Sequence, residues 1–161
     1  MKTFDLISRV VVFEDDYELP AEWASLLKQA REAARNAYTP YSNFKVGAAL
    51  QLNNGVIITG NNQENAAFPS GLCAERTACF YASSQYPDTP FSRIAITAIN
   101  PKEKLTKPIS PCGSCRQSLL EYEQKFGQHI EVLLAGEEGE IYLFKSIEDL
   151  LPFSFSSNYL P

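Results

Sequence analysis

Residues 130–145, IEVLLAGEEGEIYLFK, decide how the sheet of this chain is built. Two runs rich in β-branched, aliphatic and aromatic residues, 130–135 and 140–145, are typical of strands. Only Gly136–Gly139 separates them. Parallel neighbours need a crossover of about a dozen residues, so a link this short can join only antiparallel strands. The sequence therefore predicts a final antiparallel hairpin.

Helical and strand patterns alternate on the N-terminal side of this hairpin. Apolar residues recur at helical spacing in three segments, 20–38, 73–86 and 112–126. Strands are predicted over 44–52, 56–61 and 92–100, with Asn53–Gly55 as a hairpin turn between the first two. Residues 3–13 could form one more strand at the N-terminus. Helices separated by strands predict one mixed sheet with helices on both faces.

Length and charge narrow the class of protein. A chain of 161 residues with 45% hydrophobic residues predicts one globular domain. Its net charge of −5 disfavours nucleic acid as a partner. No apolar run approaches the ~20 residues of a membrane span, and the N-terminus has no signal-peptide pattern. We therefore expect a cytoplasmic protein that binds neither membranes nor nucleic acid.

Three of the four cysteines lie where predicted helices begin. Cys73 opens the helix over 73–86, and Cys112 and Cys115 open the helix over 112–126. A helix N-terminus favours thiolate, and thiolates bind zinc. Glu75 lies two residues after Cys73. It is therefore within reach of the open coordination position of a metal ion bound by three cysteines. The pattern predicts catalytic zinc with water as the fourth ligand.

Two other residues could close the site as a fourth protein ligand. Cys79 is six residues after Cys73, which turns it about 240° round the helix and moves it ~9 Å along the axis, so we expect it in the core. His129 follows the far end of the helix over 112–126, about 22 Å from Cys112.

Alternative interpretations of the cysteines remain at this point. Cys112 and Cys115 alone would also fit a thioredoxin-like redox pair, which would leave Cys73 and Glu75 unexplained. A structural zinc site would need a fourth ligand. The combination of Cys-Ala-Glu with Pro-Cys-x-x-Cys is more specific, because zinc-dependent deaminases use this arrangement with His in place of the first Cys.

The chain resembles the small, homotetrameric, zinc-dependent cytidine deaminases. The motifs that carry the resemblance run in the same order over about residues 20–156: YSNFKVGAAL, GNNQENAAFPSGLCAERTA, SPCGSCRQ and DLLPFSF. The resemblance implies a three-layer α/β/α sandwich with a five-stranded mixed sheet. It also divides the chain into an N-terminal extension, 1–19, and a catalytic domain, 20–161. Phe68 departs from the pattern, because many relatives have Tyr there.

The resemblance implies roles for the residues around the metal. Cys73, Cys112 and Cys115 would bind one Zn²⁺ per subunit. Glu75 would take a proton from the bound water and pass it to the pyrimidine N3. Arg76 would offset the negative charge of the three thiolates; a surface salt bridge is its alternative role.

The resemblance also implies the contacts to a nucleoside. Asn62 and Glu64 would bind ribose hydroxyls, and Phe44 would pack on the base. Ala74 would offer backbone atoms to the base edge, and Phe155 would reach a neighbouring subunit's site. Each could instead have an ordinary structural role: a turn for Asn62, the core for Phe44 and tail packing for Phe155.

Three hypotheses about function follow. The first is a cytidine and 2′-deoxycytidine deaminase of pyrimidine salvage. The second is a deaminase of a related cytosine nucleoside such as blasticidin S. The third is a non-catalytic, zinc-stabilised protein that binds nucleosides. Asn62, Glu64 and Phe155 favour the first hypothesis over the second, and Glu75 argues against the third, because a structural zinc site needs no such acid.

Overall fold

A six-stranded mixed sheet forms the middle layer of the computed structural model, which describes residues 1–160. In chain order the strands and helices are β1 (Val11–Phe13), α1 (Ala21–Arg35), β2 (Lys45–Leu52), β3 (Ile57–Asn61), α2 (Ala74–Gln85), β4 (Phe91–Ile99), α3 (Gly113–Phe126), β5 (Glu131–Ala135) and β6 (Ile141–Phe144). Across the sheet the order is β1-β6-β5-β4-β2-β3. β4 and β5 are parallel and the other neighbouring pairs are antiparallel.

The helices cover both faces of the sheet, as predicted. Ile94 and Ile96 of β4 pack in one core cluster with residues of α2 and α3. Ala95 lies between them and packs in the second cluster with residues of α1. Successive side chains of a strand point to opposite faces, so one strand supplies both cores. The predicted three-layer α/β/α architecture is confirmed.

The sheet has six strands where the resemblance implies five, because β1, the possible additional N-terminal strand, joins its edge. Val11–Phe13 pairs antiparallel with β6, and Phe13 packs against the core on the α1 side. Pairing there satisfies backbone groups that an edge strand would otherwise leave open. The predicted strand over residues 3–13 is also too long, since residues 3–10 are exposed and have no regular secondary structure.

Both predicted hairpins are present. Ala135 of β5 pairs with Ile141 of β6 across the short link over 136–140. At the other hairpin, Leu52 donates its N–H to the Val56 carbonyl at 2.9 Å, and Gly55 has a φ of +85°. Glycine reaches this left-handed region without steric cost, which explains its place in the turn.

Two of the helices direct their N-termini toward one region. α2 follows β3 and a loop, and α3 is the crossover between the parallel strands β4 and β5. Gly127 ends α3 with a φ of +60°, the helix-ending conformation that the sequence predicts. Within residues 1–160, none of the helices is both long and apolar enough to cross a membrane.

Candidate active site

The candidate site lies where α2 and α3 begin. Cys73 is the residue that precedes α2, and Cys112 is the residue that precedes α3. Both have extended backbone conformations, as residues at helix starts do. Cys115 is in the first turn of α3 and is buried. The positive ends of two helix dipoles thus meet at three thiols.

The three sulfur atoms form a compact cluster. The Sγ atoms of Cys73 and Cys112 are 3.9 Å apart, and those of Cys112 and Cys115 are 3.4 Å apart. All three lie within 4.8 Å of one another. Sulfurs at ~2.3 Å from a tetrahedral zinc ion would be about 3.8 Å apart. The donor atoms and their spacing therefore fit Zn²⁺ with three protein ligands.

Charge around the cluster favours thiolate at Cys73. A hydrogen bond from Cys115, reinforced by Arg76, lowers the pKa of Cys73 to about 5. Arg76 Nη2 donates to Cys73 Sγ at 3.5 Å, and this contact raises the pKa of the guanidinium further. The hydrogen bond with Cys73, together with burial, raises the pKa of Cys115. The cluster therefore holds a thiolate at Cys73, and thiolate sulfur is a good ligand for a dication such as Zn²⁺.

Glu75 is a buried carboxyl group on the first turn of α2. Only 3% of the residue is exposed. Burial raises the pKa of Glu75, and the negative charge of Cys73 raises it further. A carboxyl group with a raised pKa can hold a proton closer to neutral pH than an exposed one. The position therefore suits a group that accepts and returns protons.

Neither of the two other possible ligands joins the cluster. Cys79 is fully buried in the core beside α2, and burial raises the pKa of its thiol to about 12. His129 lies beyond the far end of α3, where its Nδ1 is 3.8 Å from Oε2 of Glu123. The sulfur cluster of the described residues consists of Cys73, Cys112 and Cys115.

A cavity of about 550 Å³ opens beside Cys73. Of the residues predicted for the site, it is lined by Asn62, Glu64, Cys73 and Arg76. The cavity is also lined by residues with no site role predicted from the sequence, namely Tyr41, Ser42, Gln63, Asn65, Phe68, Gly71 and Leu72. Tyr41 and Ser42 belong to the motif YSNFKVGAAL, in which only Phe44 was predicted to contact the nucleoside. Phe68 is also the position at which the sequence departs from the pattern of many relatives.

The Asn62 side chain is hydrogen-bonded to the backbone of Phe44 and of Val46, at the start of β2. Asn62 Oδ1 accepts the Val46 N–H at 2.8 Å, and Asn62 Nδ2 donates to the Phe44 carbonyl at 2.9 Å. These bonds fix the orientation of the amide, and one donor and one acceptor position remain on it. Phe44 is half-buried and does not line the cavity.

Ala74 and Phe155 occupy contrasting positions. Ala74 is fully buried at the start of α2, so backbone atoms are all that it could offer a ligand. Phe155 is 58% exposed, stacks on Tyr159 with ring centroids 5.8 Å apart, and does not line the cavity. Its proposed contact would therefore need another subunit.

Comparison with known proteins places this site in a family. Residues 21–126 match the family described as "Cytidine and deoxycytidylate deaminase zinc-binding region". The chain belongs to the cytidine deaminase family. The three-cysteine cluster lies within the matched residues, and the relatives are named cytidine deaminases, so the chain is an enzyme of the family.

Relatives in the cytidine deaminase family match most of the chain. Cytidine deaminase of Halalkalibacterium halodurans is 38% identical over 132 residues, which cover 82% of this chain and 92% of the relative. The crystal structure of cytidine deaminase from Burkholderia pseudomallei is 39% identical, with a TM-score of 0.72 over 85% of this chain and 100% of that one. The Mycobacterium tuberculosis structure is 31% identical with a TM-score of 0.65, covering 85% of this chain and 99% of that one.

Proposed function

We propose that the chain hydrolyses cytidine and 2′-deoxycytidine to uridine and 2′-deoxyuridine with release of ammonia, in pyrimidine salvage. The observation that carries the proposal is a buried Glu75 that interacts with Cys73 and Cys115, in a sulfur cluster spaced for Zn²⁺. A cavity opens next to Cys73. The match to the cytidine deaminase family supports the same function.

Cys73, Cys112 and Cys115 would hold one Zn²⁺ per subunit. Zinc with three protein ligands supplies a water whose pKa is about 7. Glu75 accepts a proton, gives it to N3 of the pyrimidine ring and later helps to protonate the amino group, which leaves as ammonia. Its burial supports this role, because a raised pKa lets one group act first as base and then as acid. Arg76 offsets the charge of the sulfurs.

The other predicted residues would position the nucleoside. Asn62 and Glu64 would contact the sugar. Phe44 and the backbone of Ala74 would contact the base, and Phe155 would reach the site of a neighbouring subunit. The Ser42 hydroxyl lowers the pKa of Glu64, so this carboxylate is ionised at neutral pH. An anion in the cavity wall favours a free nucleoside over a 5′-phosphate.

The homotetramer, the cytoplasmic location and the division of the chain between residues 19 and 20 stay predictions.

Turnover and metal content test the proposal together. Zinc per chain is measured for the wild type, Glu75→Gln and a matched control on an exposed helical carboxylate, Glu121→Gln. The absorbance change of cytidine and deoxycytidine follows their conversion. We expect one zinc in all three proteins, full activity in the control, and a kcat at least about 100-fold lower in Glu75→Gln.

Absence of turnover on both nucleosides by zinc-loaded wild type would refute the proposed function. Turnover of blasticidin S, measured in a parallel assay, tests the alternative that this nucleoside is the substrate. Cytidine monophosphate tests the argument from Glu64, because we expect it to react more slowly than cytidine.

A further inference from the structure

The Glu64 carboxylate is held from one side by the loop before β2. The Ser42 hydroxyl donates to Glu64 Oε1. The backbone N–H groups of Tyr41 and Ser42 donate to Oε2 at 3.0 and 3.2 Å. The Ser42 oxygen in turn accepts the Phe44 N–H at 2.9 Å. With its acceptor side engaged by that N–H, the Ser42 hydroxyl has its proton directed at Glu64.

The backbone around Glu64 is fixed on both sides. Glu64 donates its N–H to the Tyr38 carbonyl at 2.9 Å. Its neighbour Gln63 exchanges two hydrogen bonds with Leu72, each 2.9 Å long. Leu72 directly precedes Cys73. The place of Glu64 relative to the sulfur cluster is thus set by the backbone, and the direction of its carboxylate by Ser42.

The carboxylate keeps room for one more partner. Two carboxylate oxygens offer about four acceptor positions, of which the loop takes three. Two of these bonds reach Oε2 and one reaches Oε1, so the open position is on Oε1. An ionised carboxylate only accepts hydrogen bonds, so a ligand in the cavity must donate to it, as a hydroxyl group does.

We propose that Ser42 is a positioning residue, which turns Glu64 so that the open acceptor position of Oε1 receives a hydroxyl group of the nucleoside's sugar. The sugar as partner rests on the proposed function. The alternative is a serine that only stabilises its own loop. The two roles differ in one respect: only a positioning role makes the effect of Ser42 depend on the sugar hydroxyls.

Two substrates separate these roles. kcat and KM are measured on cytidine and on 2′,3′-dideoxycytidine, which lacks both ring hydroxyls, for Ser42→Ala, Ser42→Thr and the wild type. We expect Ser42→Ala to lower kcat/KM about 10-fold on cytidine and to leave it within about 2-fold on the dideoxy compound. Ser42→Thr keeps the hydroxyl, so we expect its kcat/KM on cytidine to stay close to that of the wild type. The control Ser84→Ala removes a hydroxyl that donates to the Tyr81 carbonyl on α2, outside the cavity. We expect this control to leave kcat/KM unchanged on both substrates.

An equal loss on both substrates would overturn the positioning role. A second readout does not need turnover: NMR titration of the Glu64 carboxyl should give a higher pKa in Ser42→Ala than in the wild type. An unchanged titration overturns the proposal even if the wild type is fully active. A wild type inactive on cytidine and deoxycytidine instead refutes the proposed function, whichever way Glu64 titrates.

Discussion

At the scale of the residue, Arg76 is the side chain that contacts the sulfur cluster from outside it. Its Nη2 donates to Cys73 Sγ, while its buried Nε has no hydrogen-bond partner within residues 1–160. The salt bridges of the described residues do not include it, so the surface ion pair considered as an alternative is not formed there. Its contact is with the sulfur, where a positive charge offsets thiolate charge.

Removing the charge of Arg76 should weaken the metal site. We expect Arg76→Gln to lower zinc affinity or kcat about 10- to 100-fold, as loss of a group that supports metal ligands does. Arg76→Lys keeps the charge and should lose less. Competition with a zinc chelator gives the affinity, and cytidine turnover gives kcat. Equal values for the wild type and Arg76→Gln would contradict the role.

At the scale of the element, two glycines set the distance between helices and sheet. A Cβ on Gly47 of β2 would lie 2.0 Å from the Ala30 carbonyl oxygen of α1. A Cβ on Gly60 of β3 would lie 2.4 Å from the Ala74 carbonyl oxygen of α2. Both contacts are with backbone, which cannot rotate away. The close packing of both helix layers therefore depends on the missing side chains.

Gly47→Ala should push α1 away from the sheet. We expect the free energy of unfolding to fall by at least about 2 kcal/mol, because the core is overpacked at a backbone contact. The matched control is Gly113→Ala at the start of α3, where a Cβ meets nothing within 4 Å. That variant should stay within about 1 kcal/mol of the wild type. Urea denaturation measures both, and equal stability of the two variants would contradict the packing argument.

The elements that the sequence predicted well are those fixed by local chemistry. The turn at Asn53–Gly55 and the short link after β5 specify hairpins on their own. The extent of β1 was not predictable, because its pairing depends on the distant edge of β6. The same distinction holds in the site. The cysteine spacing revealed the cluster, whereas the bond from Ser42 to Glu64 joins residues 22 positions apart and leaves no pattern in the sequence.

At the scale of the whole molecule, the sulfur cluster joins two helices. Cys73 and Cys112 are 39 residues apart in sequence, and their sulfurs meet only because α2 and α3 lie on the same face of the sheet. A metal held there would cross-link the two helices. Because such a site is assembled only in the folded chain, binding free energy adds to folding stability.

Chelation should therefore destabilise the folded protein. We expect removal of zinc to lower the Tm by at least about 5 °C, since each kcal/mol changes the Tm of a protein of this size by roughly 2–4 °C. Differential scanning calorimetry with and without chelator measures the shift. Cys112→Ser lacks a ligand and should respond less to the chelator. A Tm that chelation leaves unchanged would contradict a metal cross-link.

The burial of Cys79 gives the chain an internal standard for thiol chemistry. Its sulfur is fully buried and its pKa is raised to about 12, so thiol-specific reagents find almost no thiolate there in the folded state. Cys112 is exposed and Cys73 is partly exposed, so a bound metal ion would be what protects these two thiols from such reagents. Alkylation of Cys73 and Cys112 would thus report loss of the ion, and alkylation of Cys79 would report unfolding. One covalent label distinguishes the two events in a single sample.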